Sequence, residues 1–137
     1  MSDVQNAVTE LRNGIPVGIP TETVYGLAAD VVNPLAVRRV FALKERPLSH
    51  PLIVHVNGIE QAERVAHFTH RARELVERFW PGPLSLILPR KEVVPDEVTA
   101  GLQTVAVRSP NHPLTLSLLE HFELGLVAPS ANKFGQV

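Results

Sequence analysis

Residues 15–56 read IPVGIPTETVYGLAADVVNPLAVRRVFALKERPLSHPLIVHV, and the rest of the chain is arranged around them. Two apolar runs, 15–19 and 51–56, bracket two polar clusters: Thr21, Glu22 and Thr23, and the stretch from Lys44 to His50. Between them Pro34 can open a helix at its first turn, and Leu35, Val37, Val40, Phe41 and Leu43 give that helix an apolar face up to Lys44. Strand, helix, strand is the order of a βαβ-like unit, which brings the residues following its strands to one sheet edge. The expectation is a crevice shared by Thr21, Glu22 and Thr23 with Lys44 and Arg46. Hydroxyls beside an Arg fork and a compact Lys charge suit a phosphate or a carboxylate. A solvated helix end, with its cations favoured by the dipole and Pro47 stopping it, fits the same spacing. Spacing alone does not choose between them.

The flanking sequence extends the alternation. Val4, Ala7, Val8 and Leu11 make a helical stripe over residues 2–13, and Gly14 sits where a helix ends. Residues 24–28 are predicted to be extended, residues 51–56 to be a strand buried on both faces, and residues 59–68 and 69–80 to be two helices, with Thr69 as a cap. Pro81, Gly82 and Pro83 turn the chain into a strand at 84–88; 91–102 is a polar connection with at most one short helical turn. A strand at 104–108, a helix at 114–122 and a strand at 124–128 follow. Strands alternating with helices argue a three-layer α/β fold, which an antiparallel pairing within residues 15–28, open at this point, would make mixed.

At 137 residues the chain is one domain by length, 1–137, with no linker or repeat. Thirteen Lys and Arg against 14 Asp and Glu give no global argument for nucleic acid, although a local basic groove is compatible with them. No cysteine is present, which excludes a disulfide framework, an iron–sulfur cluster and a thiol nucleophile, and fits a reducing cytosol. Neither a secretory leader nor a run of about 18 apolar residues is seen, so no membrane is expected.

Polar groups sit at successive strand ends: Thr21 to Thr23, His55, Thr104 with Arg108, and Ser130 with Asn132. Hydroxyls, amides and cations so placed describe a crevice for an anionic, hydrogen-bonding ligand. Other residues have plainer readings. His67 and His70 have a metal-compatible spacing but no third ligand, His112 and His121 suit a turn and a helix end, Phe79 and Trp80 suit the core, and Glu22 suits a turn or cap.

PTETVYGLAAD, KERP followed by PLIVHV, FWPGPLSLIL, TVAVRSPNHP and APSANKFGQ, in this order and spacing, resemble the YrdC/Sua5 family of L-threonylcarbamoyladenylate synthases. The resemblance covers residues 15–136. It implies an α/β (α+β), three-layer YrdC/RibB-like fold, with a twisted mixed sheet around a deep cavity. It further implies a cytoplasmic nucleotidyltransferase that joins L-threonine, bicarbonate and ATP, with Mg²⁺, into threonylcarbamoyl-AMP and pyrophosphate, feeding the t6A modification at position 37 of tRNA. Carried over by position, Lys44, Arg46, Ser130 and Asn132 form the catalytic tetrad; Arg46, His50, Thr104 and Ser130 contact ATP; Thr23, His55, Arg108 and the backbone at Ala128 line the L-threonine pocket. No protein metal site is implied. His50 stands where the family more often has Asn. Family domains also continue beyond a point equivalent to Val137, so these residues alone are expected to bind weakly and synthesise little. Two other functions fit the same pattern: a non-catalytic RNA- or nucleotide-binding module, and a carbamoyl-adenylate-handling domain like that of hydrogenase maturation proteins. The partners implied are the three substrates and tRNA or its threonylcarbamoyl-transfer machinery.

Overall fold

Strand pairing fixes how the polar clusters meet. The computed structural model describes residues 3–131, and in it helices and strands follow as α1 (Asp3–Arg12), β1 (Val17–Ile19), β2 (Gly26–Asp30), α2 (Pro34–Lys44), β3 (Ile53–His55), α3 (Gly58–Ala62), α4 (His70–Phe79), β4 (Ser85–Pro89), α5 (Asp96–Thr99), β5 (Thr104–Arg108), α6 (Pro113–Leu119) and β6 (Leu126–Val127). The six strands form one sheet in the order β1-β2-β6-β3-β5-β4. Only β3 and β5 are parallel, and every other pairing is antiparallel. The sheet is therefore mixed, and the pairing left open within residues 15–28 is antiparallel.

Local signals explain most boundaries. Asn33 caps α2 by accepting from the Ala36 N–H at 3.2 Å, with Pro34 at the first turn, and Thr69 caps α4 through the Ala72 N–H at 3.1 Å. Each cap is worth about 1 kcal/mol. Among the boundaries that differ from the expectation, three have an identifiable cause. β2 begins at Gly26 rather than at Val24, because the Thr21 hydroxyl closes a turn on Val24, donating to its carbonyl at 2.6 Å and accepting from its N–H at 3.1 Å. The helix predicted over 59–68 stops at Ala62, since the next residues pair in a strand-like way: His67 N–H donates to Pro89 O and Lys91 N–H to Val65 O, each at 2.9 Å. The last strand covers only Leu126 and Val127, preceded by Gly125 in the left-handed region, φ 78°, where a β-carbon would collide with the His55 carbonyl.

Alternation along the strands assigns two faces. Ala29, Val54, Val105, Val107, Leu88 and Val127 join the core beneath α2, α3, α4 and α5, together with Val37, Val40, Phe41 and Val98. Ile19, Ala28, Leu126 and Ala128 point the other way, into a smaller core with Val8 and Leu11 of α1 and Leu118 and Leu119 of α6. This makes three layers, with the second helical layer reaching over β1, β2 and β6. Burying a side chain such as Phe41 contributes roughly 1.5–3 kcal/mol.

Candidate functional site

On β5, Val105 and Val107 face the large core, so Thr104, Ala106 and Arg108 lie on the opposite face. The register places Ile53 beside Ala106 and His55 beside Arg108, and on the other side sets Ser85 opposite Arg108 and Ile87 opposite Ala106. The side chains on this face of β3, β5 and β4 make a strip that α1 and α6 do not cover. Ile87 on it is 72% exposed, and Ile53 and Thr104 are exposed as well. Thr104 and Arg108 mark its ends, about 13 Å apart at the rise of a strand.

The Arg108 end is enclosed and internally paired. Arg108 is buried and donates from Nε to the Gly82 carbonyl at 3.1 Å and from Nη2 to the Glu22 carboxylate. The other Glu22 oxygen accepts from the Asn111 N–H at 2.6 Å, and the Thr115 hydroxyl donates to the Pro20 carbonyl, so the loop from Pro20 to Tyr25 is tied across the sheet. Burial lowers the pKa of Arg108, which stays charged against its carboxylate partner. His55 beside it is buried, and burial pushes its pKa down to about 4, partly offset by the contact of Nδ1 with the Ile53 carbonyl at 3.1 Å. A carbonyl only accepts, so Nδ1 carries the proton of the neutral ring and Nε2 is left as an acceptor.

The Thr104 end is built at the opposite sheet edge, where α2 turns into β3. The Arg46 N–H donates to the Phe41 carbonyl at 2.9 Å and the Glu45 N–H to the Ala42 carbonyl at 3.2 Å, a Schellman pair that ends the helix with Glu45 in the left-handed region, φ 54°. A residue other than Gly there costs on the order of 1 kcal/mol. The turn aims two cations: Lys44, 3% exposed, and half-buried Arg46, which donates to the Pro51 carbonyl at 2.9 Å. Burial, and then the charge of Arg46, lower the Lys44 pKa, and among the described residues Lys44 has no carboxylate or hydrogen-bond partner. Burial lowers the Arg46 pKa too. His50 is half-buried in the same turn, its N–H on the Pro47 carbonyl at 3.0 Å. Ser130 pairs with Gly26 at this edge, which the register aligns with Thr104.

The predicted site residues thus meet along a sheet face instead of at one edge of strand ends. The reason is topological: with only β3 and β5 parallel, Ser130 and Thr104 fall at one edge while His55 and Arg108 fall at the other. Ala128 is buried against Gly26 and the α1–α6 core, and Thr23 is exposed in the loop with its hydroxyl 3.0 Å from that of Thr21. Asn132 lies outside the described residues. Glu22, read from sequence as a turn residue, is also the partner of Arg108, and nothing local in the sequence links positions 86 apart. His70 pairs with Glu74 at 2.8 Å, and among the described residues no group of three or more His, Cys, Asp or Glu could hold a metal. Trp80 is a core aromatic, edge-on to Phe68 at 6.4 Å with its N–H on the Leu84 carbonyl at 2.8 Å; Phe79, expected in the core, is exposed beneath Arg78. No described helix is long and apolar enough to cross a membrane.

Comparisons with known proteins point one way. The Sua5/YciO/YrdC family model, described as "Telomere recombination", matches residues 9–137. Threonylcarbamoyl-AMP synthase of Pyrococcus abyssi is 50% identical over 127 residues, covering 92% of this chain and 37% of the relative. The protein of the same name from Klebsiella pneumoniae is 35% identical over 136 residues, 97% of this chain and 72% of the relative. A crystal structure of Pyrococcus abyssi Sua5 complexed with L-threonine superposes with a TM-score of 0.90 at 48% identity, over 94% of this chain and 38% of that one. The chain therefore spans about two fifths of the length of the Pyrococcus protein and about three quarters of the Klebsiella one.

Proposed function

Because the chain belongs to the Sua5/YciO/YrdC family, we propose that it forms the substrate-binding part of a threonylcarbamoyl-AMP synthase. One observation carries the reading: an open strip ends at a carboxylate-holding guanidinium, and at the sheet edge by its other end stands Lys44, an ammonium with no counter-ion among the described residues. Such a strip suits an amino acid at Arg108 and a polyphosphate at Lys44. The structure named for its complex with L-threonine supports an amino acid as one of the ligands.

In this reading threonine lies at the His55 end, its carboxylate on free N–H groups of Arg108 and its hydroxyl within reach of neutral His55 Nε2 and Thr23. ATP lies at the other end, its phosphates on Lys44 and Arg46 and its remaining polar groups on His50, Thr104, Ser130 and Asn132. The threonine amine and bicarbonate condense to an N-carboxylate and water. An oxygen of that carboxylate attacks the α-phosphorus of ATP, and the bond to the leaving pyrophosphate breaks. Lys44 and Arg46 stabilise the charge on pyrophosphate, so this chain contributes chiefly position and electrostatics. Mg²⁺ would arrive on the ATP phosphates, where it neutralises charge; the described residues offer no carboxylate cluster for it, and no step is assigned to it. The product would feed t6A synthesis on tRNA in the cytoplasm.

The test incubates the chain with ATP, bicarbonate and labelled threonine and resolves the nucleotides formed. The expected result is threonylcarbamoyl-AMP, at low yield, dependent on all three substrates and at background in Lys44→Ala and Arg108→Ala. Nucleotide or RNA binding without product would favour the non-catalytic module, and carbamoyl-AMP formed from carbamoyl phosphate would favour the carbamoyl-handling domain.

A further inference from the structure

Glu22 holds Arg108 from within a loop whose own residues are largely exposed, and the reading of the strip above gives it no role. Three properties single it out. First, it is the only carboxylate on Arg108 among the described residues, and its side chain, 22% exposed, lies beside the open strip. Second, its hydrogen-bonding capacity is not exhausted: a carboxylate has about four acceptor positions, and Arg108 and the Asn111 N–H take two. Third, Arg108 likewise keeps capacity: of its five N–H donors, one is on Gly82 and one on Glu22.

Charge decides what such a pair accepts. Arg108 and Glu22 sum to zero, and neighbouring His55 is neutral. A zwitterion also sums to zero, and the ammonium of an α-amino acid is held one carbon from its carboxylate. When guanidinium N–H groups take the carboxylate, that ammonium lies within a few ångströms of the same guanidinium, where an isolated Arg would repel it. Without Glu22 the end of the strip would carry a net positive charge and would suit a plain hydroxy acid equally well.

Resting on the reading that an amino acid occupies the Arg108 end, we propose that Glu22 is a specificity-determining residue that pairs with the substrate ammonium, so that Glu22 and Arg108 together select an α-amino acid over the corresponding α-hydroxy acid. Asn111 and Thr115 serve it by fixing the loop, through the Glu22 and Pro20 contacts respectively.

The experiment is an NMR titration of the 137-residue chain with two probes, L-threonine and 2,3-dihydroxybutanoate of matching stereochemistry, in which a hydroxyl replaces the ammonium. Wild type is expected to favour threonine by about tenfold or more, as for a site built to pair a charged group. Glu22→Gln should reduce the preference to below about threefold while still binding the hydroxy acid, and Glu22→Asp, which keeps the charge, should restore most of it. Glu22→Gln that retains the wild-type preference, that loses both probes equally as a loop fastening would, or that binds both more tightly as a displaced competitor would, overturns the proposal. A wild type that takes both probes alike overturns it without any variant, which covers the case of Glu22→Gln failing to fold. A wild type that binds neither probe instead removes the reading of the strip on which the proposal rests.

Discussion

The two ends of the strip solve opposite electrostatic problems. At Arg108 the protein supplies its own carboxylate, ties the loop that carries it to Asn111 and Thr115, and keeps His55 neutral. At Lys44 it sets a cation that has no carboxylate or hydrogen-bond partner among the described residues, with Arg46 two residues away. The first end is complete before a ligand arrives. The second is completed by one, because a polyanion supplies the charge-assisted hydrogen bonds that the described residues do not give Lys44. The difference teaches how stability and affinity are shared: substitutions at the paired end should disturb folding as well as binding, and substitutions at Lys44 should disturb binding alone.

The most severe break is Arg108→Ala. It strands the Glu22 carboxylate in a partly buried site and should cost roughly 3 kcal/mol, the low end for a broken buried pair, since Glu22 is partly exposed. Urea unfolding measures it, and a loss below about 1 kcal/mol would place this pair with ordinary surface bridges.

His55 sharpens the same end through pH. Its folded pKa of about 4 lies below the unfolded value of 6.5, so the unfolded chain binds the extra proton between those values. The stability it contributes is fully present above pH 6.5 and is lost as pH falls toward 4, on the order of 3 kcal/mol in all. His55→Asn should flatten the stability profile over that window. Asp30, whose pKa burial raises, acts in the opposite sense, its contribution being lost as pH rises above 3.8, and it cancels when the two proteins are subtracted.

At the other end the sign reverses. Lys44→Met should leave stability unchanged or raise it by on the order of 1 kcal/mol, yet weaken binding of tripolyphosphate or ATP by about 1.5–3 kcal/mol, roughly ten- to a hundredfold. Calorimetry and denaturant unfolding of one preparation check both halves. A variant that loses stability and keeps affinity would make Lys44 a structural residue.

The smallest effect expected is at Glu45. Replacing it by Gly relieves the left-handed strain and should stabilise the chain by roughly 1 kcal/mol, less the entropy cost of Gly in the unfolded chain. If it also weakens phosphate binding, the tight turn holds Lys44 and Arg46 in place; if it does not, the turn is a helix stop only.

Much of this was legible in the sequence, for identifiable reasons. Pro34 after Asn33, Thr69 ahead of Ala72 and the apolar stripe of α1 are local signals, and the elements they mark formed where expected. The strand at Thr104–Arg108 was also legible, because its alternation is unbroken. What failed was non-local. Residues 63–68 read as helix, but the helix gives way to turns and the backbone at Pro89 and Lys91 takes the His67 N–H and the Val65 carbonyl. The strand-end crevice became a strip because antiparallel pairings cannot be read from strand order. Glu22 was passed over because its partner lies 86 residues away. Of the residues the YrdC/Sua5 resemblance assigns, Thr104 and Ser130 lie at one sheet edge and His55 and Arg108 at the other, while Ala128 lies in the smaller core, Thr23 in the loop and Asn132 outside the described residues.

The central claim is that one strip carries two binding ends of different character, and residue-resolved NMR of the 137-residue chain tests it most directly. Added separately, L-threonine should shift the amides around Glu22, His55, Arg108 and Asn111, and tripolyphosphate those around Lys44, Arg46 and Thr104, each leaving the other set in place. Both ligands moving the same residues, or threonine moving only the Lys44 end, would contradict the account.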